Sequence, residues 1–150
     1  MILYLDTSAL VKPIVRERGF DEVVDWFERA DLVASSAVSY AEACSALGQN
    51  DRRRGKSPSR LGEWLVALDE YWNEVMRVPV AEWAAGRLAL AHELRGMDAI
   101  QLAAAVTLRE RLRAGADDPS PVEIVFAAFD QRLLEAAERE GFTTLGGTTE

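Results

Sequence analysis

Short apolar runs alternate along the chain with longer stretches of helical spacing. Ile2–Leu5, Leu32–Ala37 and Ile124–Phe129 have the length of buried strands and are too short for core helices. Thr143–Leu145 is predicted as a last short strand. Val78–Val80 is predicted as a brief extended piece, because the residue before a proline avoids the helical region.

Helical periodicity fills most of the intervals between these runs. It predicts helices over Phe20–Ala30, from Ser39 into the polar segment Gln49–Gly55, and over Leu61–Met76, Glu82–Leu94, Asp98–Arg113 and Asp130–Glu140. Neither a helix nor a strand is predicted for residues 7–19. Gly141 is expected to close the last helix as a left-handed cap. Strands separated by helices indicate an α/β fold with a central parallel β-sheet flanked by α-helices. We expect residues 1–150 to form one domain, with residues 146–150 as a frayed tail.

The composition limits the kinds of function that the chain can have. Of its 150 residues, 49% are hydrophobic and 28% are charged, which excludes disorder of the whole chain. No apolar run approaches the length of a membrane span, and the opening MILYLD lacks the regions of a signal peptide. The one cysteine, Cys44, has no partner for an internal disulfide, which fits a reducing compartment. We therefore expect a cytoplasmic protein that does not enter a membrane.

The charge balance is acidic, with 17 lysines and arginines against 25 aspartates and glutamates. A protein that binds nucleic acid by charge alone is expected to be basic. If this chain handles a polyanion, a local basic patch or a metal ion must supply the attraction. The run Arg52–Lys56 is such a patch, and its charges are equally compatible with phosphate contact and with a solvated helix end.

Four acidic residues at the ends of predicted elements are the candidates for chemistry. Asp6 ends the first strand, Glu42 lies in the first turn of the helix after the second, Asp98 opens the alanine-rich helix, and Asp130 ends the strand Ile124–Phe129. In open α/β sheets, ligands gather at the carboxyl ends of the strands. Two unit charges ~4 Å apart repel by roughly 4 kcal/mol at an effective dielectric near 20, so clustered carboxylates need protons or a cation. Oxygen ligands suit Mg²⁺ or Mn²⁺, which can bind a phosphate and activate a water.

Helix capping is the competing interpretation for three of the four acids. Ser39–Glu42 matches a capping box, Asp98–Gln101 resembles one with aspartate as the cap, and Asp130 has the position of an N-cap. Taken singly, each of these is better explained as a cap than as a catalytic group. Asp6 follows an apolar strand, where a buried carboxylate needs a partner. The joint placement of the four therefore favours a metal site.

Four segments resemble the acidic motifs of PIN-domain proteins, particularly the VapC-type toxins of toxin–antitoxin pairs. In chain order they are Met1–Lys12, Ser36–Glu42, Met97–Ala105 and Phe126–Leu133. They follow the family's order and spacing over nearly the whole chain.

The resemblance implies a parallel sheet flanked by helices and a Mg²⁺- or Mn²⁺-dependent endoribonuclease that forms a homodimer. It also implies inhibition by a small antitoxin of the VapB type, encoded beside the toxin. Carried over by position, the catalytic and metal-binding acids are Asp6, Glu42, Asp98 and Asp130. Ser8 is then the nearby hydroxyl that orients a water or a phosphate.

One position departs from the family pattern. Many relatives have a threonine two residues before the fourth acid, where this chain has Ala128. The missing hydroxyl makes Asp130 the least secure member of the quartet. Asp117 and Asp118 are the alternatives in principle, although their proline-containing loop favours a solvated turn.

Other residues that often carry chemistry are interpreted as structural. A single histidine, His92, argues against histidine-based catalysis and fits the face of an amphipathic helix. Cys44 points to the opposite side of its helix from Glu42 and is expected in the core. Helical spacing favours core or dimer packing over base stacking for the four tryptophans, Trp26, Trp64, Trp72 and Trp83.

Three functions remain in competition. The favoured one is a VapC-type toxin ribonuclease with an antitoxin. The second is a PIN-type housekeeping nuclease without an antitoxin. The third is a catalytically degenerate binding domain, for which Ala128 is the only support. A phosphatase of the haloacid dehalogenase type is set aside, because it needs a second aspartate where this chain has Ser8.

Overall fold

Five parallel strands form a sheet at the centre of the molecule. The structure, a computed structural model, describes residues 1–115 and 122–147. In chain order the strands are β1 (Ile2–Leu5), β2 (Leu32–Ser36), β3 (Val75–Val78), β4 (Ile124–Ala128) and β5 (Thr143–Gly146). Their order across the sheet is β3-β2-β1-β4-β5, and every pairing is parallel. β1 is therefore the central strand, and the predicted α/β class is confirmed.

Seven helices within the described ranges cover the two faces of this sheet. They are α1 (Thr7–Val15), α2 (Phe20–Arg29), α3 (Ser39–Arg53), α4 (Leu61–Glu74), α5 (Glu82–His92), α6 (Gly96–Ala114) and α7 (Gln131–Arg139). None of these helices has both the length and the apolar character that a membrane crossing requires.

Alternate residues of the strands face two separate hydrophobic cores. Ile2 and Tyr4 lie in the first core, together with residues of α6 and α7. Leu3 and Leu5 lie in the second, with residues of α1, α3 and α4. The rings of Tyr4 and Phe126 stack across neighbouring strands, with centroids 5.2 Å apart. Because both faces are covered, β1 and β4 are apolar at every position.

The sequence prediction missed helix α1. It contains Pro13, which has no amide hydrogen to donate, and the β-branched residues Val11, Ile14 and Val15. Both features weaken the helical signal. Burial in the second core stabilises the helix instead, since packing of an apolar face contributes more than propensity does.

The predicted boundary between α4 and the strand that follows is wrong. The sequence predicts one helix over Leu61–Met76, but α4 ends at Glu74, and Val75 and Met76 belong to β3. Val75 pairs with Val33 of β2. Its burial fits a helical and a strand pattern equally well, so periodicity alone misplaces the boundary.

The capping boxes predicted at two of the acids are also wrong. The N-cap of α3 is Val38 and that of α6 is Arg95, and neither residue makes a side-chain cap hydrogen bond. Ser39 and Asp98 instead lie inside the first turns of their helices. Helix capping therefore no longer explains Glu42 or Asp98.

His92, Cys44 and the tryptophans, which are interpreted from the sequence as structural, pack against other parts of the molecule, with Trp83 as the exception. His92 Nε2 lies 2.7 Å from Oε1 of Glu140 and so joins the ends of α5 and α7. Cys44 packs against the second core. Trp64 is buried in that core, and Trp26 and Trp72 pack partly buried against it. Trp83 is 81% exposed, so core packing is wrong for this tryptophan.

The predicted tail begins too early. Gly146 ends β5, where it pairs with Ala128, rather than fraying from the domain. Residues 148–150 lie outside the described residues. The same holds for Asp117 and Asp118, the alternatives to Asp130.

Candidate active site

All four predicted acids line a single open cavity at the carboxyl edge of the sheet. Its volume is about 590 Å³, and Ser8 belongs to the same wall. The cavity lies where chain connections leave the central strands β1 and β4 in opposite directions, to α1 and α7. Such switch points are the usual ligand sites of open parallel sheets.

Asp6 is the most deeply buried of the four acids, with 6% of its surface exposed. It is the N-cap of α1, and its Oδ1 accepts hydrogen bonds from the Ala9 amide at 2.9 Å and the Ser8 hydroxyl at 2.7 Å. Burial raises the pKa of Asp6 to about 7, and the charges of Asp98 and Glu42 add to the rise, although both hydrogen bonds oppose it. The prediction that this buried carboxylate needs partners is confirmed.

Glu42 reaches the cavity from the first turn of α3. Its Oε2 accepts hydrogen bonds from the Thr7 hydroxyl at 2.6 Å and from Nε2 of Gln101 at 3.0 Å. Three elements, α1, α3 and α6, therefore meet at this one carboxylate oxygen.

Gln101 is buried beneath the cavity, with 3% of its surface exposed. Its Oε1 accepts a hydrogen bond from the Tyr4 hydroxyl at 2.9 Å. Its Nε2 donates to Ser39 Oγ at 2.9 Å and lies 3.1 Å from Thr7 Oγ1, in addition to its contact with Glu42. The amide thus links β1 to the two helices that carry Thr7 and Glu42.

Asp98 and Asp130 form the more open side of the cavity. Asp98 is partly buried in the first turn of α6. Burial and then the charge of Asp130 raise the pKa of Asp98, while Arg95 and Arg132 act in the opposite direction. Asp130 is exposed and caps α7 as predicted, with its Oδ1 3.0 Å from the Leu133 amide.

Ser8 connects the first acid to the neighbouring strand. Its hydroxyl donates to Asp6 Oδ1 at 2.7 Å and accepts from the Phe129 amide at 2.9 Å. The side chain therefore fixes the end of β1 against the end of β4. Ala128 does not line the cavity, because it is fully buried in the first core.

The donor set suits a hard divalent cation. Among the described residues, those that line the cavity present carboxylates and hydroxyls but no imidazole or thiol. The described hydrogen bonds to Asp6 all end on Oδ1 and those to Glu42 on Oε2, so the second oxygen of each carboxylate can take a cation. As the side chains lie, no three acid, thiol or imidazole groups of the described residues are gathered tightly enough to ligate one ion. Mutual repulsion opposes such a cluster until a cation neutralises it.

Sequence reasoning overlooked four residues of this site: Thr7, Lys12, Glu17 and Gln101. Thr7, Lys12 and Glu17 line the cavity, and Gln101 supports it from below. Thr7 and Lys12 belong to the missed helix α1, in which Lys12 lies one turn after Ser8. Gln101 belongs to the predicted capping box of α6, which does not form. None of Arg52–Lys56 lines the cavity, and the run is exposed at the end of α3.

Comparison with known proteins gives a consistent result. The family model of the PIN domain matches residues 3–139. Ribonuclease VapC45 of Mycobacterium tuberculosis is 31% identical over 143 residues, which cover 93% of this chain and 92% of the relative. Ribonuclease VapC47 of the same organism is 29% identical over 95% of each chain.

Solved structures share the fold at low sequence identity. PAE2754 from Pyrobaculum aerophilum superposes with a TM-score of 0.62 and 16% identity, covering 96% of this chain and 83% of its own. VapBC2 from Rickettsia felis, bound to a DNA fragment from its promoter, gives a TM-score of 0.61 and 13% identity, covering 97% and 98%.

Proposed function

The chain belongs to the PIN domain family, and we propose that it is a metal-dependent endoribonuclease, the toxin of a VapBC-type toxin–antitoxin pair. One observation carries this proposal: four distant segments each bring one carboxylate to the same cavity. Burial, followed by the charges of neighbouring acids, raises the pKa of Asp6 and of Asp98, as is common at functional sites. The relatives named VapC ribonucleases support RNA as the substrate.

We propose that Mg²⁺ or Mn²⁺ binds to Asp6, Glu42, Asp98 and Asp130. A bound divalent cation neutralises charge on the phosphodiester and lowers the pKa of its water. The residues of the chain hold the ligands in place. Ser8 and the Ala9 amide fix Asp6, and Thr7 and Gln101 fix Glu42. Because these contacts exist before substrate binds, the orientations of Asp6 and Glu42 are set in advance.

An antitoxin of the VapB type is the partner that fits this cavity. An arginine pairs bidentately with carboxylates, and one inserted between Asp6 and Asp98 would exclude the metal. Apolar residues of the same partner segment would pack between α3 and α4 as an amphipathic helix does. The neighbour from Rickettsia felis is itself a VapBC complex, which supports the pairing.

We also propose that residues 1–150 form one nuclease domain that acts as a homodimer in the cytoplasm, where its RNA substrate is found. Trp83 and Leu90 of α5 are 81% and 85% exposed and lie seven positions apart on one helix face. Exposed aromatic and aliphatic side chains of this kind are typical of subunit interfaces.

Two other functions stay open to experiment. A housekeeping nuclease of the same family would use the same cavity without an antitoxin. A degenerate binding domain had its only support in Ala128, which is buried away from the cavity. The hydroxyl missing there is therefore no argument against catalysis.

Cleavage and growth together test the proposal. Purified protein should cut single-stranded RNA with Mg²⁺ or Mn²⁺ and stop cutting when a chelator is added. Expression alone should arrest growth, and co-expression of a VapB-type gene from beside its own should restore it through a stable complex. Cleavage with harmless expression would leave the housekeeping nuclease, whereas absence of metal-dependent cleavage would reject the nuclease itself. Mapping of RNA ends after induced expression identifies the RNA that is cut.

A further inference from the structure

Lys12 is a basic side chain in an otherwise acidic wall. Helix α1 places it one turn after Ser8, on the face that lines the cavity. Among the described residues of this wall, five carry carboxylates and Lys12 alone carries a positive charge. Arg95 and Arg132 influence Asp98 from outside the wall, and the Arg132 guanidinium donates to the carbonyl of Glu93 at 2.8 Å.

The ammonium group of Lys12 is held in place from two sides. Its Nζ lies 4.6 Å from the centroid of the Phe129 ring and 3.3 Å from Oε2 of Glu17. The ring itself is fixed by a close approach of Gly19, where a Cβ would lie 2.9 Å from the ring carbon Cε1. Phe129 also directly precedes Asp130. The charge is therefore kept beside the acids instead of extending into solvent.

These two contacts position the charge, but they leave the ammonium able to bind a ligand. The Lys12 side chain is 18% exposed and that of Glu17 is 49% exposed. Ion pairs with such an exposed partner contribute little to stability and exchange readily, because solvent screens them. The ammonium has three N–H donors, of which the Glu17 contact uses one. The remaining donors suit a ligand with several acceptor oxygens.

Resting on the proposed ribonuclease function, we propose that Lys12 binds a phosphate of the RNA strand next to the acids. A polyanion that enters this cavity meets repulsion from the acids wherever a metal ion does not neutralise them. Lys12 offers a fixed positive charge at the same wall, and its hydrogen bond to a phosphate is charge-assisted. Glu17 holds the ammonium until the phosphate replaces it. Lys12 is thus a substrate-binding residue.

The test follows single-turnover cleavage of a defined single-stranded oligoribonucleotide with Mn²⁺ at several salt concentrations. Lys12→Met should raise the half-saturating enzyme concentration roughly tenfold, the value of one charge-assisted contact. The slope of its logarithm against the logarithm of salt should fall by about 0.7, because one fewer counterion is released per phosphate contact. Lys12→Arg should retain the wild-type slope. A role in packing alone would leave the slope of Lys12→Met unchanged.

Arg29→Met is the matched control for charge. Arg29 lies in the last turn of α2, just before β2 begins, and so at the opposite edge of the sheet. The Arg29→Met substitution removes the same charge as Lys12→Met and should leave the salt slope unchanged. If Lys12→Met is unstable, Lys12→Gln provides a second neutral variant with the same expectation. A wild-type slope in both neutral variants would overturn the role of Lys12 while leaving the nuclease intact. A wild type that cuts no RNA would overturn both.

Discussion

Nε2 of Gln101 lies 3.0 Å from Oε2 of Glu42, although 59 positions separate the two residues. The same amide accepts a hydrogen bond from Tyr4 in the central strand. The position of an acid on the cavity wall is therefore determined from inside the core, through a buried neutral group. We expect a contact of this kind to affect both the proposed metal binding and folding.

Gln101→Met should separate these two effects when it is compared with Tyr4→Phe. Gln101→Met removes the donor to Glu42, and lost outer contacts of metal ligands weaken metal affinity by about 10- to 100-fold. Tyr4→Phe removes the hydrogen bond on the other side of the amide and should cost about 1 kcal/mol of unfolding free energy. Its Mn²⁺ affinity should stay within about twofold of wild type, since the Glu42 contacts remain. Titration calorimetry and urea unfolding measure both quantities, and equal Mn²⁺ affinities in the two variants would contradict the positioning role.

Asp6→Asn and Asp98→Asn should each reduce metal-dependent cleavage by at least about 100-fold, because a ligand and its transition-state charge stabilisation are lost together. Both variants should stay folded. Asparagine can still cap α1 at position 6, and Asp98 caps no helix. Asp25→Asn, an exposed change on α2, is the control and should cut at the wild-type rate. Near-normal cleavage by both site variants would remove these acids from the mechanism.

The stability of the metal-free protein should fall as pH rises towards neutrality. Since the pKa of Asp6 is raised from 3.8 to about 7, the folded state holds a proton between these values that the unfolded state has released. The protonated carboxyl therefore stabilises the folded state fully below pH 3.8, and this stabilisation is lost as pH rises to about 7. The loss in unfolding free energy is at most about 4 kcal/mol. Asp6→Asn cannot titrate, so its unfolding free energy relative to wild type should increase between about pH 4 and pH 7. Urea unfolding in chelator at both ends of this window gives the difference, and a constant difference would show that the buried carboxyl does not titrate there.

Metal addition should offset much of this loss of stability. Mn²⁺ that binds only the folded state stabilises it by about 2.7 kcal/mol at a hundredfold excess over its dissociation constant. At the same concentration, Asp98→Asn should gain less, because one ligand is missing. Thermal melting with and without Mn²⁺ measures both gains. Should Asp98→Asn gain as much as wild type, Asp98 would not be a ligand.

The parts of the site that could be predicted are those for which local sequence is sufficient. Asp6 and Asp130 follow apolar runs, so the sequence alone predicts that they lie at the carboxyl edge of the sheet. Gln101 could not be identified, since its role depends on Tyr4 and Glu42, which only the tertiary fold brings to it. Lys12 was missed because Pro13 and β-branched neighbours conceal α1, and without that helix Lys12 has no visible relation to Ser8.

The strands of the sheet also differ in how well local sequence predicts them. Strands β1 and β4 are covered on both faces, which gives each an uninterrupted apolar run. The edge strand β3 is buried only at its two end residues, Val75 and Val78, and its first residues continue the helical pattern of α4. Periodicity therefore identifies the centre of the sheet well and the β3 edge poorly.

The position of β1 at the centre of the sheet has a consequence for biosynthesis. Of the five described strands, β1 is synthesised first, and it pairs on one side with β4, where Ile2 lies in register with Ile124. A nascent chain cannot complete its central strand, or bring Asp130 to Asp6, until that late segment has emerged. Closing so long a loop is also slow, because the entropy of the intervening chain is lost before the contact forms. With this cavity as the proposed active site, an unfinished chain is expected to be inactive until β4 and Asp130 have left the ribosome.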